Sequence, residues 1–207
     1  MTTITIDYLK SIKSNGQKFA AITAYDYSFA KLIDKAEIEV TLIGDSLGNV
    51  IQGQSTTIPV TLDEMAYHTT NVKRGIESSL ILTDMPFMTY ATVSQALDNA
   101  ALLMQAGAQM VKLEGGEWLA ETVYALTERG IPVCGHLGLT PQSVHKFSGF
   151  KVQGKDANTA DKLLADAGML EQAGADLLVV ECIPSYLGKK LTSTLNIPVI
   201  GLSLIHI

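Results

Sequence analysis

Two stretches of the chain are near-copies of one another. They run QAGAQMVKLE from Gln105 to Glu114 and QAGADLLVVE from Gln172 to Glu181. Each is typical of a helix end, a glycine turn and a short apolar strand that stops at a carboxylate. A repeated strand–helix unit with an acid at the strand's carboxyl end predicts a parallel α/β barrel with its active site on the strand-end face. Glu114 and Glu181 should therefore share one rim.

Seven short runs rich in Val, Ile and Leu alternate with helical stretches. Several are apolar at nearly every position, which indicates parallel strands buried on both faces. The predicted strands are Phe19–Ala24, Val40–Gly44, Ser79–Thr83, Met110–Leu113, Ile131–Gly135, Asp176–Val180 and Ile197–Leu202. The expected fold is a (β/α)8 TIM barrel in one domain over residues 1–207, with about seven strands present.

The helices carry recognisable start and stop signals. Thr61 to Glu64 reads as a capping box that opens a helix. Another predicted helix opens at Thr92 and closes at Gly107. Gly130 and Gly174 stand where a residue after a helix needs a positive φ.

The number of strands is one short of a TIM barrel, which has eight. The chain ends in the apolar run GLSLIHI over residues 201–207, with no closing helix. We interpret the C-terminus as missing or altered, so the expected barrel is C-terminally truncated. The structural alternative is an open seven-stranded sheet, which would leave two bare edges.

Composition excludes several classes of protein. With 207 residues, 47% of them hydrophobic and 17% charged, the chain can form one large core and is not disordered. Scattered Lys and Arg in a chain of net charge −6 argue against nucleic acid as a partner. We expect no signal peptide and no membrane span. Cys134 and Cys182 lack Cys-x-x-Cys spacing and should be reduced thiols of a cytosolic protein.

Polar residues follow or end most of the predicted strands. They are Asp45 and Ser46 after the second strand, Asp84 after the third, Lys112 and Glu114 in and after the fourth, His136 past the fifth, and Glu181 after the sixth. Because the carboxyl ends of parallel barrel strands meet at one face, four carboxylates, one lysine and one histidine should converge there.

A purely structural role stays open for each of these positions. Asp45 lies between Gly and Ser and could form a turn, and Asp84 could cap a turn or helix. One of the two glutamates could be an ion-pair partner of Lys112. His136 could be a buried structural histidine.

The residue types favour one kind of chemistry. Carboxylates without His or Cys ligand spacing suit a hard, oxygen-binding cation, Mg²⁺ above Zn²⁺. Such an ion could take both oxygens of an α-keto acid and stabilise the enolate formed when the adjacent carbon loses a proton. A carboxylate off the metal could be the base, and Lys112 could offset the oxyanion charge. The sequence thus predicts a Mg²⁺-assisted carbon-acid or C–C bond enzyme.

Several long motifs resemble one family. The runs ITAYDYSFAKL, LIGDSLGNVIQG, STTIPVTLDEMAYHT, TDMPFMTY, MVKLEGGEWL, VCGHLGLTPQSV and FKVQGKD are similar to ketopantoate hydroxymethyltransferases, from about Phe19 to Ile200. The resemblance implies a barrel of the pyruvate/phosphoenolpyruvate superfamily in a cytoplasmic homo-oligomer, commonly a decamer. It implies transfer of a hydroxymethyl group from 5,10-methylenetetrahydrofolate to 3-methyl-2-oxobutanoate, giving 2-dehydropantoate in pantothenate biosynthesis through a Mg²⁺-stabilised enolate.

The resemblance also implies roles for individual residues. Asp45 and Asp84 match metal ligands that also contact the substrate, and Glu114 matches a residue close to the metal, directly or through water. Ser46 resembles the anchor for the keto acid carboxylate, together with the Asp45–Ser46 backbone. Lys112 resembles a second substrate contact.

Two further residues complete the implied site. Glu181 matches the base that removes the proton from C3, and His136 matches a nearby substrate-site residue. The chain departs from the family pattern at residues 201–207, which puts barrel closure, assembly, folate binding and full activity in doubt. Two alternatives stay open: a Mg²⁺-dependent C–C or P–C lyase of the same superfamily, and an inert binding or assembly subunit.

Overall fold

The computed structural model describes residues 3–202. The strands are β1 Ala21–Thr23, β2 Val40–Ile43, β3 Leu80–Asp84, β4 Met110–Glu114, β5 Val133–Gly138, β6 Leu177–Glu181 and β7 Val199–Leu202. The helices are α1 Ile6–Ser14, α2 Tyr27–Lys35, α3 Leu47–Val50, α4 Leu62–Lys73, α5 Val93–Ala106, α6 Ala120–Thr127, α7 Ala157–Gln172 and α8 Ser185–Thr194. Two short 3₁₀ turns cover Glu117–Leu119 and Pro141–Ser143. No helix within residues 3–202 is both long and apolar enough to cross a bilayer.

The strands form one parallel sheet in the order β1 to β7, each paired with its neighbour along the chain. The sheet curls, because side chains from β2 through β6 share one interior apolar cluster against which Ile200 and Leu202 of β7 also pack. Strands β1 and β7 line a common cleft of about 450 Å³ and do not pair with each other within the described residues. The architecture is a nearly closed seven-stranded α/β barrel, and the predicted barrel class is confirmed.

Six of the seven predicted strands match the observed ones to within two residues. The fifth was predicted at Ile131–Gly135 but runs from Val133 to Gly138. The strand starts two residues later than predicted because Pro132 has no N–H to donate to the neighbouring strand. It extends to Gly138 because that residue still pairs with Glu181 of β6. As a correction to the sequence analysis, His136 therefore lies within the strand and not past it. Of the atypical segment 201–207, residues 201 and 202 belong to β7, and 203–207 lie outside the described residues.

The predicted helix ends are confirmed. The hydroxyl of Thr61 accepts the N–H of Glu64, whose carboxylate accepts the N–H of Thr61, so α4 opens with a capping box. Gly107 ends α5 with φ 116°, and Gly130 and Gly174 have φ 79° and 104°. These left-handed conformations cost glycine least.

Helix α1, which the sequence analysis did not assign, lies across the amino-terminal ends of the strands. Leu9 is fully buried in the interior cluster. Lys10 Nζ lies 2.7 Å from Asp176 Oδ1, and Lys13 Nζ donates to the carbonyl of Ile197 at 2.6 Å. Asp176 and Ile197 precede β6 and β7, so α1 covers this end of the barrel and the polar residues gather at the other.

Both cysteines are free thiols, as expected. Cys134 is completely buried on the interior side of β5, and burial raises the pKa of its thiol to about 12. It is therefore an apolar core residue with little thiolate character.

A buried carboxylate connects α2 to the start of β3. Oδ1 of Asp34 accepts the N–H groups of Ser78 and Ser79 at 2.9 and 3.0 Å and the hydroxyl of Ser78 at 2.9 Å. Burial acts to raise the pKa of Asp34, but these hydrogen bonds outweigh it and hold the pKa below its usual range. A carboxylate with a lowered native pKa stabilises the fold while it is ionised.

Asp34→Asn should lower the free energy of unfolding at pH 7 by about 1–2 kcal/mol, the difference between charged and neutral acceptors. The deficit should shrink as the pH falls from about 4, where the unfolded carboxyl protonates, through the lower native pKa. Urea unfolding of the wild type and the variant at several pH values measures this loss of unfolding free energy. Asp98→Asn, on the exposed side of α5, removes the same charge and is the control. A deficit that does not change with pH would contradict this role.

Candidate active site

The alternation of side chains along each strand brings the polar residues together. The side of the strands that faces the interior cluster carries Leu80 and Leu82 on β3, Met110 on β4, Cys134 on β5, and Leu177 and Val179 on β6. Continuing two residues at a time along the same side gives Asp84, then Lys112 and Glu114, then His136, and finally Glu181. The interior side of β3, β4, β5 and β6 therefore carries an ionisable side chain toward the carboxyl end of the strand, as predicted.

We call this set of strand-end side chains, together with Asp45 and Ser46, the rim. Lys112 lies at its centre and is only 3% exposed. Its Nζ lies 3.1 Å from Asp84 Oδ1, 3.1 Å from His136 Nδ1 and 3.8 Å from Glu114 Oε1. Strand register fixes these contacts, because Asp84 is paired with Lys112 and Glu114 with His136.

His136 connects two of the carboxylates. Its Nδ1 lies 3.2 Å from Glu114 Oε1, and its Nε2 lies 3.2 Å from Glu181 Oε2, without the alignment of a hydrogen bond. Burial and the charge of Lys112 lower the pKa of His136, but Glu114 and Glu181 outweigh them, so the pKa is raised. When Nδ1 carries a proton it donates to Glu114, and when it does not it accepts from the Lys112 ammonium.

The turn after β2 places Asp45 and Ser46 beside this group. The N–H of Asp45 donates to Asp84 Oδ2 at 3.1 Å, and the hydroxyls of Ser46 and Tyr25 are 2.8 Å apart. A side chain at Gly44 would put its Cβ 2.9 Å from Ser46 Oγ, so the turn requires glycine here. All seven predicted site residues are thus connected through a short chain of contacts.

The rim holds more acidic than basic side chains. Burial raises the pKa of Asp45 well above its usual range, and Asp84 and Glu114 raise it further. Burial also raises the pKa of Asp84, although Lys112 opposes this. Burial acts to lower the pKa of Lys112, but Asp84 and Glu114 outweigh it, so Lys112 stays an ammonium. Four carboxyl groups therefore surround one ammonium and one imidazole at this end of the barrel.

Glu114 is the carboxylate with the most complete set of partners. Burial acts to raise its pKa, but the hydrogen bond and charge of His136, together with Lys112, outweigh it and the pKa is lowered. Oε1 contacts His136, and Oε2 accepts the N–H of Gln142 at 3.0 Å. Both oxygens of Glu114 are therefore already engaged.

Two buried residues of the site were missed by the sequence analysis. Gln142, in the 3₁₀ turn after β5, donates from Nε2 to Asp45 Oδ2 and to the carbonyl of Met85, both at 2.9 Å. The hydroxyl of Tyr90 donates to Gln142 Oε1. Both residues lie between regular elements, where no periodic pattern singles them out. The sequence signals were that they follow the strands carrying Asp84 and His136 and that they fall within the motifs TDMPFMTY and VCGHLGLTPQSV.

The donor set fits a hard divalent cation. Asp84 Oδ1 is buried and has no aligned hydrogen bond. Oδ1 of Asp45 has no hydrogen-bond partner within residues 3–202. In that same range no group of three or more His, Cys, Asp or Glu side chains is arranged around one point. Magnesium is commonly held by one or two carboxylates, with waters and substrate oxygens completing its coordination.

A cleft of about 650 Å³ opens beside the rim. Of the predicted site residues, Glu114 lines it, along with the aromatic rings of Trp118 and Phe147. The Trp118 indole lies nearly parallel to the Tyr90 ring, at 12° with centroids 6.5 Å apart. The cleft is therefore contiguous with the rim but does not contain most of it.

The fold and this rim define the chain as a parallel α/β barrel with an acidic strand-end site. It is similar to the crystal structure of 2,3-dimethylmalate lyase, itself described as a PEP mutase/isocitrate lyase superfamily member, with TM-score 0.71 and 16% identity over 100% of this chain and 74% of that one. It is also similar to phosphonopyruvate hydrolase, with TM-score 0.73 and 14% identity over 97% and 72% of the two chains. At such identities the likeness concerns the fold.

The sequence comparison is more specific. Residues 3–203 match the profile of ketopantoate hydroxymethyltransferase. The 3-methyl-2-oxobutanoate hydroxymethyltransferases of Shewanella halifaxensis (strain HAW-EB4) and Colwellia psychrerythraea (strain 34H / ATCC BAA-681) are 61% and 62% identical over 98% of this chain and 76% of theirs. The chain belongs to the ketopantoate hydroxymethyltransferase family, a family of transferases, and the resemblance seen in its motifs is confirmed.

Lys112→Met should lower the free energy of unfolding at pH 7 by about 3–5 kcal/mol, because it removes one partner of a buried ion pair and leaves the carboxylates uncompensated. Lys162→Met is the matched control. Lys162 Nζ lies 3.0 Å from Asp166, but its side chain is 68% exposed, so its loss should cost below about 1 kcal/mol. Urea unfolding of both variants measures the contrast. Equal costs would contradict the account of the rim.

Proposed function

We propose that the chain transfers a hydroxymethyl group to 3-methyl-2-oxobutanoate, giving 2-dehydropantoate in pantothenate biosynthesis. The observation that carries the proposal is the buried rim, which links Asp45, Asp84, Lys112, His136 and Glu181 by contacts of 3.1–3.2 Å. Relatives about 60% identical are named 3-methyl-2-oxobutanoate hydroxymethyltransferases, which supports this substrate. The donor, 5,10-methylenetetrahydrofolate, and the metal, Mg²⁺, are parts of this proposal and follow from the family resemblance.

Asp45 and Asp84 are the residues that would hold Mg²⁺. Oδ1 of Asp45 has no hydrogen-bond partner within the described residues. Oδ1 of Asp84 makes no aligned hydrogen bond there, and its one close neighbour is the Lys112 ammonium at 3.1 Å. Bound there, the ion supplies a Lewis acid for the carbonyl and carboxylate oxygens of a keto acid. Both oxygens of Glu114 are engaged, so of the two predicted alternatives for Glu114 we favour contact through water.

Lys112 and Ser46 are suited to binding the keto acid. The ammonium of Lys112 is fixed by three neighbours and can offset negative charge that develops on the keto oxygen. Ser46 and the backbone of its turn can anchor the substrate carboxylate, and the hydroxyl of Tyr25 orients Ser46. His136 holds the carboxylates on its two sides in place.

Glu181 is suited to be the base that removes the proton from C3. It is 2% exposed, and one of its oxygens contacts His136. Within residues 3–202 its carboxylate has no other side-chain partner. The Glu181 carboxylate can therefore accept a proton without giving up a metal ligand or a second ion pair.

The cleft beside Glu114 is where we place the one-carbon donor. Its volume of about 650 Å³ is within the usual range for sites of small molecules and cofactors. Trp118 and Phe147 can stack on a flat heterocycle, and Lys146 and Lys162 can meet anionic groups. This position would bring the donor next to the keto acid at Glu114.

The proposal includes a cytoplasmic homo-oligomer, a decamer by the family resemblance. Phe29 and Leu32 on α2 are 63% and 62% exposed and lie three residues apart on one helix face. Adjacent exposed apolar side chains of this kind suit burial between subunits.

Glu181→Gln should reduce deuterium exchange at C3 of 3-methyl-2-oxobutanoate by about 10²–10⁴-fold, the usual contribution of a general base. Binding of the keto acid, measured by calorimetry with Mg²⁺, should stay near that of the wild type, because the amide keeps the shape of the carboxylate. NMR follows the exchange. Wild-type exchange rates in the variant would remove Glu181 from the mechanism. Keto acid binding without exchange in the unmodified chain would favour an inert binding subunit.

Asp84→Asn should raise the Mg²⁺ concentration needed for half-maximal exchange, because an amide oxygen is a weaker ligand for a hard cation than a carboxylate. The matched control is Asp34→Asn, which changes a buried carboxylate beside the amino-terminal end of β3, away from the rim. Titration of exchange with Mg²⁺ gives the comparison, and an unchanged midpoint for Asp84→Asn would contradict its role as a ligand.

A further inference from the structure

Gln142 makes contacts to three different strand-end loops. Its N–H donates to Glu114 after β4, and its Nε2 donates to Asp45 after β2 and to the carbonyl of Met85 after β3. Its Oε1 accepts the hydroxyl of Tyr90. The side chain is buried, and both amide hydrogens and the amide oxygen are in use.

The orientation of this amide is fixed by its partners. The carbonyl of Met85 can only accept, so it must face Nε2. Tyr90 accepts the N–H of Glu114 at 3.3 Å, which leaves its own proton to donate to Gln142 Oε1. Burial and the nearby Glu114 raise the pKa of Tyr90, so the hydroxyl keeps that proton. Reversing the amide would set donor against donor and acceptor against acceptor.

This arrangement decides which carboxylate oxygens remain available. Gln142 engages Oδ2 of Asp45, so Oδ1 is the oxygen left for another partner. It also engages Oε2 of Glu114, while His136 engages Oε1. A hydrocarbon at position 142 would free Asp45 to rotate, although the backbone N–H would still engage Glu114, and an acid there would add another carboxyl group beside Asp45.

We propose that Gln142 is a positioning residue: its side chain, oriented by Tyr90, presents Asp45 Oδ1 to the divalent cation, and its backbone N–H helps to hold Glu114 outside the first coordination sphere. The inference rests on the proposed function for the identity of the cation. Gln142 itself touches neither the cation nor the substrate. Groups that orient metal ligands typically change metal affinity by about 10–100-fold when they are removed.

The test compares Gln142→Leu with Gln109→Leu. Gln109, at the opposite end of the barrel, is half-buried and also accepts a hydrogen bond, from the N–H of Ile81 at 3.0 Å, so its loss reports the cost of removing a hydrogen-bonded amide away from the rim. The first readout is Mn²⁺ affinity of the protein alone, by calorimetry. The second is the Mg²⁺ dependence of C3 exchange, and the third is the melting temperature.

Gln142→Leu should bind Mn²⁺ about 10–100-fold more weakly, while Gln109→Leu binds like the wild type at a comparable melting temperature. Tyr90→Phe, which removes one oxygen atom, should weaken Mn²⁺ binding in the same direction by a smaller factor, and it carries the test if Gln142→Leu does not fold. Wild-type Mn²⁺ affinity in a folded variant at Gln142 or Tyr90 would overturn the inference. A wild-type chain that binds no divalent cation would instead overturn the metal part of the proposed function.

Discussion

The buried ammonium of Lys112 is the contact on which the site depends. It lies within 3.1–3.8 Å of Asp84, His136 and Glu114 and is almost completely removed from water. The rim brings four carboxyl groups to one ammonium and one imidazole, and burial together with the neighbouring carboxylates raises the pKa of both Asp45 and Asp84. Such an arrangement is costly for folding alone, and a divalent cation is the partner that would balance it.

The barrel supplies the geometry that makes this cluster possible. Parallel strands in consecutive order give every interior column the same direction, so each column starts among apolar residues near α1 and ends at the rim. Register then sets neighbours, since Glu114 is level with His136 and Gly138 with Glu181. The same alternation of side chains along the strands therefore fills the core and places the charged residues at the rim.

The strands and the acidic residues at their ends could be predicted from sequence because the pattern of apolar runs is periodic. Apolar runs at regular spacing predicted the strands, and the acids at their ends predicted that Glu114 and Glu181 would share a rim. Gln142 and Tyr90 could not be found this way, since their importance depends on long-range contacts between loops. His136 was placed past its strand because the pairing of Gly138 with Glu181 is also long-range. Residue roles toward metal and substrate stay predictions.

The most direct measurement is anomalous diffraction from crystals grown with Mn²⁺, as a substitute for Mg²⁺, and 3-methyl-2-oxobutanoate. The account predicts one strong peak about 2.1 Å from a carboxylate oxygen of both Asp45 and Asp84, with the keto acid beside Lys112. A peak at another position, or no peak at the rim when Mn²⁺ is saturating, would contradict the claim that this cluster is built to bind a divalent cation.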